Sequence, residues 1–292
     1  MIPFVKGHGL GNDYIVIDGR DLPAPLTVPQ IVRICDRNWG VGSDGILLKV
    51  TAWAGADFGL RILNPDGSEA EKSGNGLRIF AKYLWDHGHA KQPVFTVDTK
   101  GGRVECRCHT ADGRMNLVTV EMGRCTFVAP EIPMNGPPRE VVKVPLQVGS
   151  ETLLVTAVSV GNPHCVVFVD ALDEARCRTL GPQIERHPAF PNRTNVQFAR
   201  VASRSQVDIL IWERGAGYTL ASGSSSSAVA CAAVKNGLCD HGLVTVRMPG
   251  GTLEVDVRPD WSIRLKGPVE EVYAGTFSRD LMDALNAKPA PD

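Results

Sequence analysis

The sequence predicts an α/β protein made of two similar halves. Twice, a strand-like segment leads to a Ser-Gly pair, and a run with helical spacing follows. The first passage has residues 57–63 before Ser73, and the second has residues 207–212 before Ser222. The two serines are 149 positions apart, about half of the 292-residue chain. This recurrence predicts an internally duplicated fold.

The stretch around Ser73 ends a strand and starts a helix, because apolar residues recur at helical spacing from Leu77 to Leu84. Glycine and asparagine at 74–76 leave unpaired backbone N–H groups at the positive end of the helix dipole, which favours an anion. Ser73 is therefore predicted to lie beside a bound carboxylate or phosphate. The alternative is that Ser73 only caps the helix.

The second stretch repeats this arrangement around Ser222. An Ala-rich helix is predicted from Ala228 to Asn236 and is closed by Gly237. If each half offers one helix N-terminus to a shared site, one anion is held from two sides. Ser73 and Ser222 are then expected to face each other across it.

The other elements follow from periodicity and turn residues. A Gly-rich loop runs into a strand near the N-terminus, a short helix covers 28–35, and the chain ends with a strand and a short helix. Further strands are predicted at 46–50, 94–98, 102–108, 115–121, 141–148, 152–160 and 165–169, with hairpins through 265 and the last strand at 268–277.

Composition excludes several classes of protein. The chain is 43% hydrophobic with a formal net charge of −1, which suits a soluble chain with room for two cores. The near-zero charge and the lack of a basic run argue against nucleic acid as a partner. No stretch approaches the roughly 18 apolar residues of a membrane span, so a cytoplasmic location is expected.

The eight cysteines are dispersed and show no disulfide framework. Cys106-Arg-Cys108-His109 lies in an alternating strand without a second ligand pair, so no metal site is predicted. No cysteine falls in either helix-start motif.

Polar side chains at turns and strand ends are the candidate binding residues. Asn12 follows a Gly-Leu-Gly loop, and Asn195 opens a strand. Asn162 and His164 lie in a Gly-Asn-Pro-His turn, where the imidazole is suited to moving protons near neutral pH. The alternative for His164 is a structural role in the turn.

Glu213 and Arg214 directly follow an apolar strand that ends at Trp212. Arg214 can grip a carboxylate with two parallel hydrogen bonds, and Glu213 can hold an ammonium group. The pair therefore suits the end group of an amino acid. The alternative is an ion pair within the loop.

Taken together, these motifs resemble the diaminopimelate epimerase family of cofactor-independent amino-acid epimerases. The resemblance covers most of the chain and rests on six motifs: Gly-Leu-Gly-Asn12-Asp-Tyr, Asn64-Pro-Asp-Gly-Ser-Glu, Gly74-Asn75-Gly76, Gly161-Asn162-Pro163-His164, Thr194-Asn195-Val196 and Glu213-Arg214-Gly-Ala-Gly. It implies two pseudo-symmetric domains, each a mixed sheet wrapped around a central helix, with the active site in the cleft between them. The domains implied are 1–120 plus 268–292, completed by the C-terminal strand, and 121–267.

The resemblance also implies roles for individual residues. Two residues exchange the proton of the substrate α-carbon, which places Ser73 and Ser222 in the catalytic positions. Backbone N–H groups at the helix starts hold the reacting carboxylate, and amide and charged side chains hold the rest, with Glu213 and Arg214 at the distal end. The implied carboxylate-binding residues are Gly74, Asn75, Gly223 and Ser224, and the other binding residues are Asn12, Asn64, Asn162, Asn195, Glu213 and Arg214. The resemblance implies a homodimer and implies no cofactor.

The chain departs from the family at both catalytic positions, where the family has cysteine. An alcohol has a pKa roughly five or more units above the thiol value near 8.5, so forming the alkoxide costs on the order of 7 kcal/mol more. Tyr218 stands where the family usually has a glutamate, and Gly223-Ser-Ser-Ser-Ser replaces a more usual Gly-Thr-Gly or similar run.

Three functions remain open on the sequence. The first is an amino-acid epimerase, with conversion of LL- to meso-diaminopimelate for lysine and peptidoglycan supply as the first candidate, and with His164 helping a serine through its charge state. The second is a lyase or another isomerase. The third is a catalytically disabled amino-acid-binding homologue or an engineered Cys-to-Ser variant. In each case the partner is an amino acid with a second polar end.

Overall fold

The computed structural model describes residues 1–111 and 114–287. The strands are β1 Pro3–Gly9, β2 Asn12–Asp18, β3 Ile46–Val50, β4 Phe58–Leu63, β5 Glu69–Ala70, β6 Val94–Thr99, β7 Gly102–Ala111, β8 Arg114–Arg124, β9 Val144–Val148, β10 Glu151–Ser159, β11 Pro163–Phe168, β12 Asn195–Ser203, β13 Gln206–Glu213, β14 Gly217–Thr219, β15 Gly242–Met248, β16 Gly251–Val257, β17 Ser262–Pro268 and β18 Glu270–Thr276. The α-helices are α1 Val28–Cys35, α2 Gly74–Asp86, α3 Glu174–Glu185, α4 Gly223–Lys235 and α5 Arg279–Asn286. Across the described residues, each helix is too short or too polar to span a bilayer.

The chain forms two compact units. Unit 1 comprises Met1–Val118 and Pro268–Asp292, and unit 2 comprises Thr119–Gly267. The strand β18 follows unit 2 in sequence but belongs to unit 1, where it pairs antiparallel with β1. Residues 288–292, which the predicted first domain includes, lie outside the described residues.

The two units repeat one topology. In unit 1, β1/β2 is antiparallel, β2/β3 parallel, β3/β4 antiparallel, β4/β6 parallel and β6/β7 antiparallel. In unit 2, β10/β11, β11/β12, β12/β13, β13/β15 and β15/β16 follow the same alternation. A helix supplies each parallel crossover, with α1 and α2 in unit 1 and α3 and α4 in unit 2. This duplicated mixed sheet confirms the predicted fold class.

A central helix lies in each unit. The helix α2 packs against β1, β2, β7 and β18, and α4 packs against β10–β13, β15 and β16. Nearly all of α4 is buried, because its alanine and serine side chains are small enough for strands to approach on every side. Beside these helices, separate apolar clusters fill unit 1 around Ile15 and Ile46 and unit 2 around Val155 and Phe198.

Two helix predictions need correction. The helix predicted to begin at Ala228 begins at Gly223, because Ser226 and Ser227 donate their hydroxyls to carbonyls one turn earlier and remain helical. The helix α3 was not predicted, because a Gly-Pro pair that includes Pro182 lies in its interior. Gly181 fits there because a Cβ would lie 2.6 Å from the Trp212 ring.

Candidate functional site

Ser73 caps the central helix of unit 1. Its backbone is extended at φ −139°, and its Oγ accepts a hydrogen bond of 3.0 Å from the N–H of Gly76. A Cβ at position 76 would lie 3.2 Å from that oxygen, so glycine gives the hydroxyl the room it needs. The N–H groups of Gly74 and Asn75 belong to the first turn, where a helix leaves donors without intrahelical partners. Ser73 thus caps α2 and lies beside donors suited to an anion.

A buried cation lies directly behind these donors. The Arg78 side chain is fully buried, and burial lowers the pKa of its guanidinium to about 10. Its hydrogen bonds go to neutral oxygens, namely Pro268 O at 3.3 Å, Gly74 O at 3.2 Å and Asn75 Oδ1 at 2.7 Å. A buried charge held only by neutral groups is costly, and a nearby anion would offset that cost. The first turn of α2 is therefore electrostatically prepared for a carboxylate.

The amides of Asn12 and Asn75 are joined in a chain of hydrogen bonds. Asn75 Nδ2 donates to Asn12 Oδ1 at 3.0 Å, and Asn12 Nδ2 donates to Asp44 Oδ2 at 2.8 Å. Arg37 donates to the other oxygen of Asp44 at 2.7 Å. Asn64 is placed differently, since its Nδ2 donates to Ser68 Oγ within its own turn at 2.9 Å.

Ser222 occupies the equivalent position in unit 2. Its backbone is extended at φ −153°, and its Oγ accepts a hydrogen bond of 3.3 Å from the N–H of Ser225. The same oxygen lies 3.4 Å from the hydroxyl of Ser224. Its own N–H donates to the sulfur of Met248 at 3.5 Å. The duplication predicted from the sequence therefore extends to the capping hydroxyls.

His164 is buried in unit 2 and bonded at both ring nitrogens. Gln197 Nε2 donates to Nδ1 at 3.0 Å, so Nε2 carries the proton and donates to Asn162 Oδ1 at 3.0 Å. Gln197 also donates to Ser225 Oγ at 3.0 Å, which ties the imidazole to the first turn of α4. Burial, together with the charge of Arg214, lowers the pKa of His164 to about 3. The imidazole is therefore neutral near pH 7 and does not provide the charged form expected to activate a serine.

This depressed pKa predicts acid sensitivity of the fold. Between pH 6.5 and 3 the unfolded chain binds a proton at His164 that the folded chain does not, so stability is complete above pH 6.5 and falls as the pH is lowered. At pH 5 the loss is about 2 kcal/mol, from roughly 1.4 kcal/mol per pH unit. His164→Gln is expected to remove this part of the difference in unfolding free energy between pH 7.5 and pH 5, measured by urea titration.

The exposed His241 provides the control for that measurement. His241→Gln is expected to keep the full difference between the two pH values. An unchanged difference in His164→Gln would show that another group causes the acid sensitivity.

The loop after β13 is anchored by two asparagines. Asn195 Oδ1 accepts a hydrogen bond from the Arg214 N–H at 3.0 Å, while its Nδ2 donates to Pro163 O at 2.9 Å. The Arg214 guanidinium donates to Asn192 O at 3.1 Å. Asn195 therefore joins the strand that carries His164 to the segment that carries Glu213 and Arg214.

Three residues were not predicted to be functional, two in unit 1 and one in unit 2. Tyr14 lies in β2, with its hydroxyl oxygen 3.5 Å from Ser73 Oγ. Gln197 and Arg78 make the contacts described above. A signal for Gln197 was present, because it follows Asn195 by two in a strand and so lies on the same face.

A cavity of about 860 Å³ in unit 1 contains none of the predicted site residues. Its charged groups are already engaged, since Asp18 contacts both Lys49 and Arg20, and Arg61 contacts Glu69. The candidate chemistry lies at the helix starts instead.

The described cysteines are buried, and the described residues form no metal-binding cluster. The cysteines 35, 106, 108, 125, 165, 177, 231 and 239 are all buried. Burial raises the pKa of Cys165, the neighbour of His164, to about 12. Across residues 1–111 and 114–287, no group of three or more His, Cys, Asp or Glu side chains is placed to hold a metal ion.

The duplicated mixed sheet with one central helix in each unit defines a class of α/β fold that solved structures of other proteins share. A probable proline racemase from Agrobacterium radiobacter has the same fold, with a TM-score of 0.73, 18% identity, and coverage of 97% of this chain and 94% of that one. A hydroxyproline epimerase from Agrobacterium vitis aligns with a TM-score of 0.73, 17% identity, and coverage of 96% and 93%.

Sequence comparison narrows this class to one family. The family model for diaminopimelate epimerase matches residues 4–128 and 156–272. The chain is 49% identical to diaminopimelate epimerase 2 of a Nostoc species, over 95% of this chain and 96% of that one. It is 43% identical to diaminopimelate epimerase of Pelotomaculum thermopropionicum, over 94% and 98%. The chain belongs to the diaminopimelate epimerase family.

Proposed function

We propose that the chain is a cofactor-independent amino-acid epimerase that inverts an α-carbon, with interconversion of LL- and meso-diaminopimelate as its reaction. This activity supplies precursors for lysine and peptidoglycan. The observation that carries the proposal is the pair of capping serines at equivalent positions of the repeat, in a chain 49% identical to a diaminopimelate epimerase. A cytoplasmic homodimer completes the proposal, and its mass in solution is measurable by sedimentation.

The substrate's reacting carboxylate binds to the helix starts in this proposal. The first-turn N–H groups of Gly74, Asn75, Gly223 and Ser224 donate to it, because helix N-termini favour anions. Arg78 adds a buried positive charge behind Gly74 and Asn75. The amides of Asn12, Asn64, Asn162 and Asn195 contact the rest of the molecule, and Glu213 and Arg214 hold the distal amino-acid group. Two charged ends then distinguish diaminopimelate from amino acids with one.

The chemistry is a proton exchange between two hydroxyl residues. One of Ser73 and Ser222 removes the α-proton, the electron pair passes into the carboxylate, and the other serine delivers a proton to the opposite face. The helix N–H groups favour this step because negative charge builds up on the carboxylate oxygens in the transition state. Each serine oxygen also accepts a helix N–H bond, which lowers the cost of its ionised form.

His164 acts as a positioning residue in this proposal. Its neutral ring is bonded to Gln197 and Asn162, so it fixes the direction of the Asn162 amide. This role differs from the activation of a serine expected from the sequence, since the pKa near 3 leaves the ring uncharged.

Two other candidate functions, a lyase and a binding protein, are favoured by the hydroxyl side chains at positions 73 and 222. An alkoxide costs on the order of 7 kcal/mol more than a thiolate at the same position, which weakens both proton-transfer groups. A lyase needs only one competent base, and a binding protein needs none.

Incubation with diaminopimelate in heavy water separates these functions. We expect deuterium at the α-carbon together with inversion of LL- to the meso form, read by mass spectrometry and chiral chromatography. The variant with both Ser73→Ala and Ser222→Ala is expected to lose at least a hundredfold in rate, since acid-base groups contribute about 10²–10⁴. Exchange accompanied by loss of ammonia would show that the protein is a lyase and not an epimerase. Tight binding without exchange would show that it is a binding protein.

A further inference from the structure

We propose that the hydroxyl of Tyr14 is the proton partner of Ser73, which makes the Ser73 side of the site the stronger of the two proton-transfer sides. This inference deepens the proposed function and rests on Ser73 as a proton-transfer group. It assigns to Tyr14 a role that acts through Ser73, so Tyr14 is a positioning and relay residue rather than one that touches substrate.

The position of the phenol is the first support. Tyr14 lies in β2, and its side chain is almost completely buried. Its oxygen lies 3.5 Å from Ser73 Oγ, at the long end of hydrogen-bond distances, and such bonds often tighten when substrate binds. The ring packs closely on Gly45, where a Cβ would lie 2.8 Å from Tyr14 Cε1, so the absence of a side chain there makes room for the phenol.

The acidity of the phenol is the second support. A phenol ionises near pH 10 and an alcohol several units higher, so the phenolate is the more accessible base. The phenol first loses its proton to water. The α-C–H bond of the substrate then breaks as its proton joins Ser73 Oγ, the hydroxyl proton of Ser73 moves to the phenolate, and the electron pair remains on the substrate. In the reverse direction each proton retraces this path.

The contrast with unit 2 is the third support. The oxygen of Ser222 lies 3.4 Å from the hydroxyl of Ser224, which is another alcohol and no more acidic than Ser222 itself. The two capping serines are therefore equivalent in backbone position and unequal in their neighbours. Both units keep the cap, and among the contacts of the described residues a phenol lies beside Ser73 whereas an alcohol lies beside Ser222.

The test compares Tyr14→Phe with the wild type and with Tyr83→Phe. Tyr83 is a matched control, since its hydroxyl lies in the same unit and contacts His89 at 3.1 Å instead of a capping serine. Each protein is incubated in heavy water with LL- and with meso-diaminopimelate separately, and α-deuterium and inversion are followed. We expect kcat to fall about ten- to a hundredfold in Tyr14→Phe with KM within twofold, and Tyr83→Phe to match the wild type. The value of kcat/KM falls by the same factor in both directions, because the equilibrium constant fixes the ratio of the forward and reverse kcat/KM values.

Repeating the comparison in the Ser73→Cys background separates relay from structure. A thiol ionises without a phenolate partner, so Tyr14→Phe is expected to change kcat there by less than threefold. An equal loss in both backgrounds would overturn the relay and indicate a structural role.

The remaining outcomes distinguish this inference from the proposed function. α-Deuterium incorporation without inversion in the wild type, lost in Tyr14→Phe, supports the relay and overturns the epimerase. Wild-type epimerisation that Tyr14→Phe leaves unchanged overturns the relay and keeps the epimerase. The absence of exchange of either stereoisomer in the wild type overturns both.

Discussion

Replacing Ser73 and Ser222 together with cysteine is expected to raise kcat for diaminopimelate epimerisation by roughly 10²–10³. About five pKa units separate an alcohol from a thiol, so the ionised fraction rises about 10⁵-fold. A thiolate is also a weaker base than an alkoxide. With a Brønsted slope near one half, this weaker basicity cancels about half of the gain in ionised fraction on a logarithmic scale. The measurement is the steady-state rate of inversion, with each single variant assayed beside the double one.

The control for this gain is a cap serine outside the site. Ser278 caps α5, and its Oγ accepts the Leu281 N–H at 3.2 Å. Ser278→Cys weakens a helix cap, as Ser73→Cys and Ser222→Cys do, and lowers the unfolding free energy by about 1 kcal/mol. It is expected to leave kcat unchanged. A double cysteine variant no faster than the wild type would show that the α-proton is not moved at these two positions.

The parts of the fold that were predictable are those that repeat or alternate. Residues 57–63 alternate loosely and residues 207–212 are strongly apolar, and they form β4 and β13 within one residue of the expected limits. The spacing of Ser73 and Ser222 predicted the duplication, because each serine interrupts a strand-to-helix passage of the same kind. These signals are local and need no knowledge of neighbouring strands.

The contacts around the caps were not predictable, because they join residues far apart in sequence. Tyr14 reaches Ser73 across 59 positions, and Gln197 reaches His164 across 33. The neutral state of His164 is likewise a consequence of burial, which follows from packing in unit 2. Similarly, α3 was missed because Pro182 and its glycine neighbour are signals for a turn, and only the Trp212 ring packed on that glycine explains them.

The substitution Arg78→Met is expected to weaken diaminopimelate binding by roughly 10², measured by isothermal titration calorimetry. The reason is that Arg78 is a buried cation whose hydrogen-bond partners are neutral, so the substrate carboxylate is the anion that offsets its charge. Removing one member of a buried, hydrogen-bonded charge pair costs about 2–5 kcal/mol of binding free energy.

Two effects of Arg78→Met on stability oppose each other. The lowered pKa, about 10 against an ordinary 12.5, means that the charged form loses about 3 kcal/mol on burial, and methionine removes that cost. Methionine also leaves the oxygens of Pro268, Gly74 and Asn75 without their donor, at about 2 kcal/mol each. The net expectation is a loss of about 3 kcal/mol in unfolding free energy, which leaves a folded protein for the titration.

Lys82→Met separates the buried charge from a general loss of positive charge on α2. Lys82 lies one turn further along the helix, and its ammonium group is already paired with Asp86 at 2.7 Å. The Lys82→Met variant is expected to bind diaminopimelate with an affinity within twofold of that of the wild type.

The substitution Arg78→Lys keeps the positive charge but loses the planar fork of the guanidinium. Its affinity for diaminopimelate should therefore fall between those of the wild type and Arg78→Met. Position 227, the equivalent of 78 in unit 2, is a buried serine, so unit 2 has no cation at that position. Equal affinities of Arg78→Met and Lys82→Met for diaminopimelate would show that the buried charge of Arg78 does not contribute to binding of the carboxylate.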